Sequence, residues 1–200
     1  MKSSVRRLIF VLAAIMVLLG ISITMVMSIG RKAAPTALPN PNGYDDLLKA
    51  GQAVTGNIDD APDLDHEKLH ALVATNAEAL RLLRVGLSHR CAVPTEAQIA
   101  NFASISSDVI GLKSLARVLS AEGRLAEMEN RPADAARSYV DAIRLGSEMG
   151  HGGLMMNRLV GVACEGIGSI SLVKLHPKLN CEQVRPLIAD LEKVDAAAVP

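Results

Sequence analysis

The stretch that decides the fold runs from residue 119 to residue 145 and reads LSAEGRLAEMENRPADAARSYVDAIRL. Its two halves carry apolar and small residues at helical spacing. Asn130-Arg131-Pro132 separates the halves, and proline is favoured at the first position of a helix. The stretch therefore predicts two antiparallel helices joined by a tight turn, with Pro132 opening the second helix.

Small residues mark the surface on which the two predicted helices would meet. Gly123 lies in the first helix, and Ala135 and Ala142 lie in the second. These residues let two backbones approach closely, while the larger Tyr139 fills the groove between the helices. Glu127 is expected on the outer face of the first helix, where its replacement would matter little.

This pair of helices resembles a tetratricopeptide hairpin, the unit of a family of stacked helical repeats. Leu119 occupies the position of the family's first-helix aromatic residue, and Ser147 occupies that of its closing proline. A single unit is detectable, whereas such repeats usually stack in threes or more. A generic antiparallel hairpin is therefore the alternative. The resemblance implies an all-α domain that binds other proteins.

Helical patterns extend over the rest of residues 44–200, so the predicted fold class is all-α. Beyond residue 32 the only aromatic residues are Tyr44, Phe102 and Tyr139. The core must then be built from aliphatic side chains, which favours close-packed helices, and no stretch has a convincing strand pattern. The predicted helices span residues 44–54, 66–87, 105–129, 132–148, 154–175 and 181–194.

The first 32 residues read as a membrane anchor. Residues 8–29 form an unbroken apolar run between two pairs of basic residues. A helix of that length extends roughly 33 Å, enough to cross a hydrocarbon core of about 30 Å. A cleaved signal peptide is the alternative, because Ser28-Ile29-Gly30 offers small residues for cleavage. The interpretation we favour is a retained single-pass signal anchor.

Basic residues at the ends of the run predict the topology. Lys2, Arg6 and Arg7 precede the run, whereas Arg31 and Lys32 follow it. The slight excess before the run favours an N-terminus in the cytoplasm. Residues 33–43 contain three prolines and predict an extended linker. The helical domain, residues 44–200, is then expected on the periplasmic side of a bacterial inner membrane.

The charge distribution argues against nucleic-acid binding. The first 32 residues carry a net charge of +5, and the remainder carries −5. A nucleic-acid-binding domain would present a basic face and, for single strands, aromatic stacking residues. The chain beyond residue 32 is acidic and has few aromatic residues. The expected partners of the whole chain are the membrane, through residues 8–29, and another protein, and no nucleic acid is expected.

One motif carries the chemistry of an enzyme. His66-Glu67-Lys68-Leu69-His70 matches the zinc-peptidase signature H-E-x-x-H, in which two histidines bind Zn²⁺ and the glutamate acts as general base. The resemblance covers five residues. Lys68 replaces a usually uncharged residue, and Glu78 lies too near to serve as a distant third ligand. We favour two ordinary histidines in a first helical turn, with a zinc-dependent hydrolase using His66, His70 and Glu67 as the alternative.

The three cysteines have two interpretations. Either two of Cys91, Cys164 and Cys181 form a disulfide and the third remains a thiol, or all three are small buried residues.

A glycine-rich segment lies further along the chain. The segment from Gly161 to Gly168 lacks the lysine and preceding strand of a phosphate-binding loop. It predicts small residues on a buried helix that pack closely against a neighbouring helix.

Over most of its outer domain, the chain resembles uncharacterised membrane-anchored helical proteins of planctomycete-type bacteria. The stretches that carry this resemblance are NGYDDLLKAGQAVTG (42–56), NAEALRLLRVGLSHRCAVP (76–94) and the 119–145 hairpin. The resemblance implies a bacterial envelope location and supplies no activity. Together these features predict a non-catalytic, membrane-anchored helical scaffold or protein-interaction module, with a membrane-tethered hydrolase as the alternative.

Overall fold

Regular structure in the described part of the chain is entirely helical. The computed structural model describes residues 37–59 and 61–197. The all-α prediction is confirmed for these residues, while the predicted anchor and residues 33–36 of the predicted linker lie outside them. Short 3-10 turns occupy Ala61–Asp63 and His176–Lys178. The α-helices are α1 (Gly43–Gln52), α2 (His66–Thr75), α3 (Ala77–Ser88), α4 (Thr95–Ala100), α5 (Phe102–Met128), α6 (Pro132–Gly150), α7 (Met155–Leu175) and α8 (Cys181–Ala197).

The predicted turn between α5 and α6 is confirmed. Asn130 adopts a left-handed conformation with φ of 59°. The amide of Arg131 donates to the carbonyl of Ala126 at 2.8 Å, and the amide of Asn130 donates to the carbonyl of Glu127 at 3.1 Å. This pair of bonds is a Schellman motif, which satisfies the last carbonyls of α5. Pro132 then opens α6 as predicted.

The contact between α5 and α6 is built as the sequence predicts, except at Glu127. A Cβ atom at Gly123 would lie 2.3 Å from Cε1 of Tyr139, so only glycine fits under this ring. Ala135 and Ala142 are fully buried. Glu127, however, does not face outward. Its carboxylate accepts a hydrogen bond from the Tyr139 hydroxyl at 2.7 Å, because the ring carries that hydroxyl across the groove.

Close contacts between glycines join α6 to α7. A Cβ at Gly146 would lie 2.4 Å from the carbonyl oxygen of Gly161, and a Cβ at Gly168 would lie 2.5 Å from that of Tyr139. The predicted role of the glycines in close helix packing is therefore confirmed for Gly161 and Gly168. Gly166 differs, since an added Cβ there would meet nothing within 4 Å.

The prediction of one continuous helix over residues 66–87 is wrong. The helix breaks at Asn76, whose side chain is fully buried and bonds to the loop before α2. Its Oδ1 accepts from the amide of Thr55 at 2.9 Å, and its Nδ2 donates to the carbonyls of Thr55 and Leu72 at 3.0 and 2.9 Å. Asparagine competes for backbone groups in this way, which disfavours it inside helices.

Tyr44 ties the first helix to the rest of the domain. Its side chain is fully buried, and its hydroxyl accepts hydrogen bonds from Nε2 of Gln98 at 3.1 Å and Nδ2 of Asn157 at 3.2 Å. These bonds link α1 to α4 and α7. Burial, which disfavours the phenolate, raises the pKa of Tyr44 to about 12.

Candidate functional site

An uncovered apolar surface runs along the outer face of α7. Its large side chains have exposed fractions from 60% for Ile170 to 79% for Met155. They recur at intervals of three and four residues, which places them on one helical face. Gly166 lies in the middle of this face. The α7 outer stripe, as we call it, consists of Met155, Leu159, Val162, Gly166, Ile170 and Val173.

The sequence of α7 explains why one face stays uncovered. The helix is apolar on nearly every side, a composition that is typical of a helix surrounded by protein or lipid. Its opposite face, with Gly161, Cys164 and Gly168, is buried within the domain. The prediction that this helix is buried is therefore right for the inner face and wrong for the outer stripe. From Met155 to Val173 the stripe extends about 27 Å.

Within the described ranges, one helical segment, Met155–Lys178, has the length and composition of a membrane span, with a mean hydropathy of 1.3. That criterion considers length and composition only. The same helix packs on α6 through Gly161 and holds Tyr44 through the fully buried Asn157. One side of α7 therefore packs within the domain, and its other, apolar side is exposed, so that only 22% of the apolar window is buried.

Long apolar stripes of this kind are informative because soluble surfaces rarely expose contiguous apolar patches. Single exposed apolar side chains are common, whereas continuous patches mark contacts with proteins or membranes. Arg158 is exposed next to the stripe. The outer stripe of α7 is accordingly the strongest candidate for a functional surface among the residues described.

The residues of the H-E-x-x-H motif lie in the first turn of α2. His66, Glu67 and His70 are all exposed, and the two imidazole centroids are 6.4 Å apart. Nε2 of His66 lies 3.3 Å from a carboxylate oxygen of Glu129. Across residues 37–59 and 61–197, no group of three or more His, Cys, Asp or Glu side chains is arranged to hold a metal ion. The motif thus brings together two histidines without a third protein ligand in this part of the chain.

The three cysteines are free in the structure and occupy different environments. Cys164 is buried, Cys91 is half-buried, and Cys181 is exposed at the start of α8. The expectation of three buried cysteines is wrong for Cys181. Burial raises the pKa of the Cys91 thiol to about 12, so this group stays protonated at neutral pH. A protonated thiol is a poor nucleophile, which argues against Cys91 in covalent catalysis.

No protein-family model, curated protein or solved structure matches this chain. The resemblances to tetratricopeptide hairpins and to planctomycete-type envelope proteins therefore stay predictions. The outer stripe could not be predicted from periodicity, because apolar residues surround α7 and the sequence does not say which side α6 covers.

Proposed function

We propose that this protein is a non-catalytic, membrane-anchored helical module that binds another protein through the α7 outer stripe. The observation that carries the proposal is the uncovered row of large apolar side chains from Met155 to Val173. Covering such a row removes apolar surface from water, which is the main driving force of protein association. The tetratricopeptide-like pairing of α5 and α6 supports a binding role by resemblance.

The form of the stripe favours a helical partner. Its apolar side chains follow one helical face, and Gly166 interrupts them midway, where an added Cβ would meet nothing within 4 Å. A partner helix can approach closely at such a glycine while its side chains pack between the flanking ones. We propose an amphipathic partner helix of about 18 residues, the length that matches a stripe of about 27 Å. An acidic side chain beside its apolar face would pair with Arg158.

The proposed partner is itself attached to the membrane or close to it. Residues 8–29 would anchor the chain, and the residues that precede α1 would connect the anchor to the domain. Because α1 begins at Gly43 and Asn42 already bonds to Ala92, this connection is shorter than the predicted linker, and even in extended polyproline conformation it would span less than roughly 34 Å, which would keep the domain near the bilayer. The proposed location is the periplasmic side of the inner membrane.

A change of charge on the stripe tests the proposal. The full chain is extracted from its own membranes in a mild detergent, and the size of the particle is measured. We expect a discrete complex heavier than the protein alone, and we expect Leu159→Lys with Val173→Lys to release the protein from it. Ile99→Lys alters an equally exposed apolar residue on α4 and should leave the complex intact. Equal behaviour of the two variants would contradict the proposal.

A further inference from the structure

A second surface of α7 lines a cleft of about 930 Å³ that lies between this helix and α5. Its lining includes Ala163 and Ile167 of α7 and Tyr139 of α6. None of these residues belongs to the α7 outer stripe. The cleft is large enough for a ligand of considerable size.

The cleft is basic, although the domain around it is acidic. Residues 33–200 have a net charge of −5. The described residues that line the cleft, in contrast, include five cations and two carboxylates, which give them a net charge of +3. The cations are Lys113, Arg117, Arg124, Lys174 and Lys178, and the carboxylates are Asp59 and Glu127.

The two carboxylates already have partners, so positive charge is left over. Asp59 pairs with Arg117, and Glu127 pairs with Lys178 at 2.8 Å. Lys113 and Lys174 have no carboxylate within ion-pair distance among the described residues. These two ammonium groups are therefore available to a ligand.

Arg124 adds a positive charge whose position is fixed. Its guanidinium donates to the carbonyl of Ala61 at 2.7 Å and to that of Leu64 at 3.1 Å. Carbonyl oxygens orient the guanidinium without neutralising it. The loop before α2 thus holds Arg124 in place for an anion, and a group held in place loses little conformational freedom on binding.

The spacing of the cations indicates an extended ligand. Lys113, Arg117 and Arg124 follow one another along α5 and span about 16 Å. One phosphate group would occupy a small part of that row, whereas an extended peptide covers it with about five residues. Tyr139 is 2% exposed, so the cleft has no free aromatic ring on which a base could stack.

We infer that this cleft binds an extended acidic segment of a protein, with carboxylates along α5 and aliphatic contacts to Ile58 and Ile167. The pair between Asp59 and Arg117 occupies the position of one ligand carboxylate. Since the Asp59 side chain is 70% exposed, a ligand can displace it. Asp59 is then a competitor for the site, and its removal should strengthen binding.

Fluorescence anisotropy with the full chain in detergent micelles tests the inference. The probe is a labelled peptide of alternating Glu and Ala, about ten residues long, which when extended is longer than the row of cations along α5. A peptide of alternating Gln and Ala is the uncharged control. We expect the acidic peptide to bind, the control not to bind, and salt to weaken binding through screening.

Variants identify the cleft as the place of binding. Lys113→Gln with Lys174→Gln should weaken binding by about tenfold, and Asp59→Asn should strengthen it by about twofold to threefold, as modest charge contacts do. Lys193→Gln, on α8, removes an exposed lysine outside the cleft and should change nothing.

Three results would overturn the inference. The acidic and uncharged peptides could bind equally well, or the variant Lys113→Gln with Lys174→Gln could leave binding unchanged. Inorganic phosphate could also release the acidic peptide when both supply the same concentration of negative charge. The last result would indicate a site for small anions. The outer stripe is tested separately with Leu159→Gln and Val173→Gln, which add no charge near the cleft and should leave peptide binding unchanged.

Discussion

The ring of Tyr139 lies directly against the backbone of Gly123, so that a Cβ at Gly123 would be 2.3 Å from Cε1 of the ring. A real Cβ cannot occupy that space unless the ring or the helix moves. This contact sets the distance between α5 and α6. It also directs the Tyr139 hydroxyl toward Glu127, on the edge of the basic cleft.

Gly123→Ala should destabilise the protein, although alanine favours helices. Overpacking a filled contact costs about 1–3 kcal/mol, which exceeds the gain of up to about 1 kcal/mol from helix propensity. Gly166→Ala is the matched control in α7, where a Cβ meets nothing. It should stabilise by about 0.5–1 kcal/mol. Urea titration followed by circular dichroism measures both, and shifts of the same sign would contradict the close contact.

Glu127→Ala should destabilise by about 1–3 kcal/mol, because it leaves the Tyr139 hydroxyl without its acceptor. The hydroxyl donates to Glu127 at 2.7 Å. The effect should shrink in a Tyr139→Phe background, which a double-mutant cycle by urea titration would reveal. Glu78→Ala, at an exposed ion pair on α3, should be nearly silent. A Glu127 effect that is unchanged in the Tyr139→Phe background would mean that the bond contributes nothing.

Stability should fall as the pH rises above 10. The pKa of Tyr44 is about 12 in the folded chain, against 10.0 for an ordinary tyrosine. The unfolded chain therefore releases this proton first, so the stabilisation is complete below pH 10.0 and is lost as the pH approaches 12. Burial raises the pKa of the Cys91 thiol in the same direction. Thermal unfolding at several pH values should show a shallower decline for Tyr44→Phe than for the unchanged protein, and equal slopes would contradict the assignment.

The H-E-x-x-H motif should bind no stoichiometric zinc. His66 and His70 are exposed, and the metal-ligating side chains in the described residues form no group of three. Two solvent-exposed imidazoles make a weak site, since structural and catalytic zinc sites use at least three protein ligands. Elemental analysis of the purified full chain measures the ratio. A value near one that is lost in His70→Ala would instead support the hydrolase alternative.

Much of the fold could be predicted because turns and the contacts between neighbouring helices depend on residues that are close together in the sequence. The turn before Pro132 and the pairing of Gly123 with Tyr139 both follow from residue type and spacing. Asn76 escaped prediction because its partner Thr55 is 21 residues away in the sequence. A helix pattern cannot show such a bond.

The two candidate surfaces were harder to predict, because they also depend on contacts between residues that are far apart in the sequence. The stripe depends on which side of α7 packs on α6, and the cleft depends on how lysines and arginines of two distant helices are brought together. Glu127 was misplaced because its partners Tyr139 and Lys178 lie 12 and 51 residues further along the chain. Tertiary packing determines the stripe, the cleft and the position of Glu127, and the periodicity of a sequence does not reveal tertiary packing.

Site-specific photo-crosslinking tests the central claim, that the α7 outer stripe binds another protein, most directly. A photoreactive residue replaces Val162 on the stripe or, as a control, Arg137, which is 76% exposed on α6. In intact cells, we expect Val162 to give one discrete adduct with a different protein, Arg137 to give none, and Leu159→Lys to abolish the adduct. Equal labelling at both positions, or adducts at Val162 with lipid alone or with a second copy of this chain, would contradict the account.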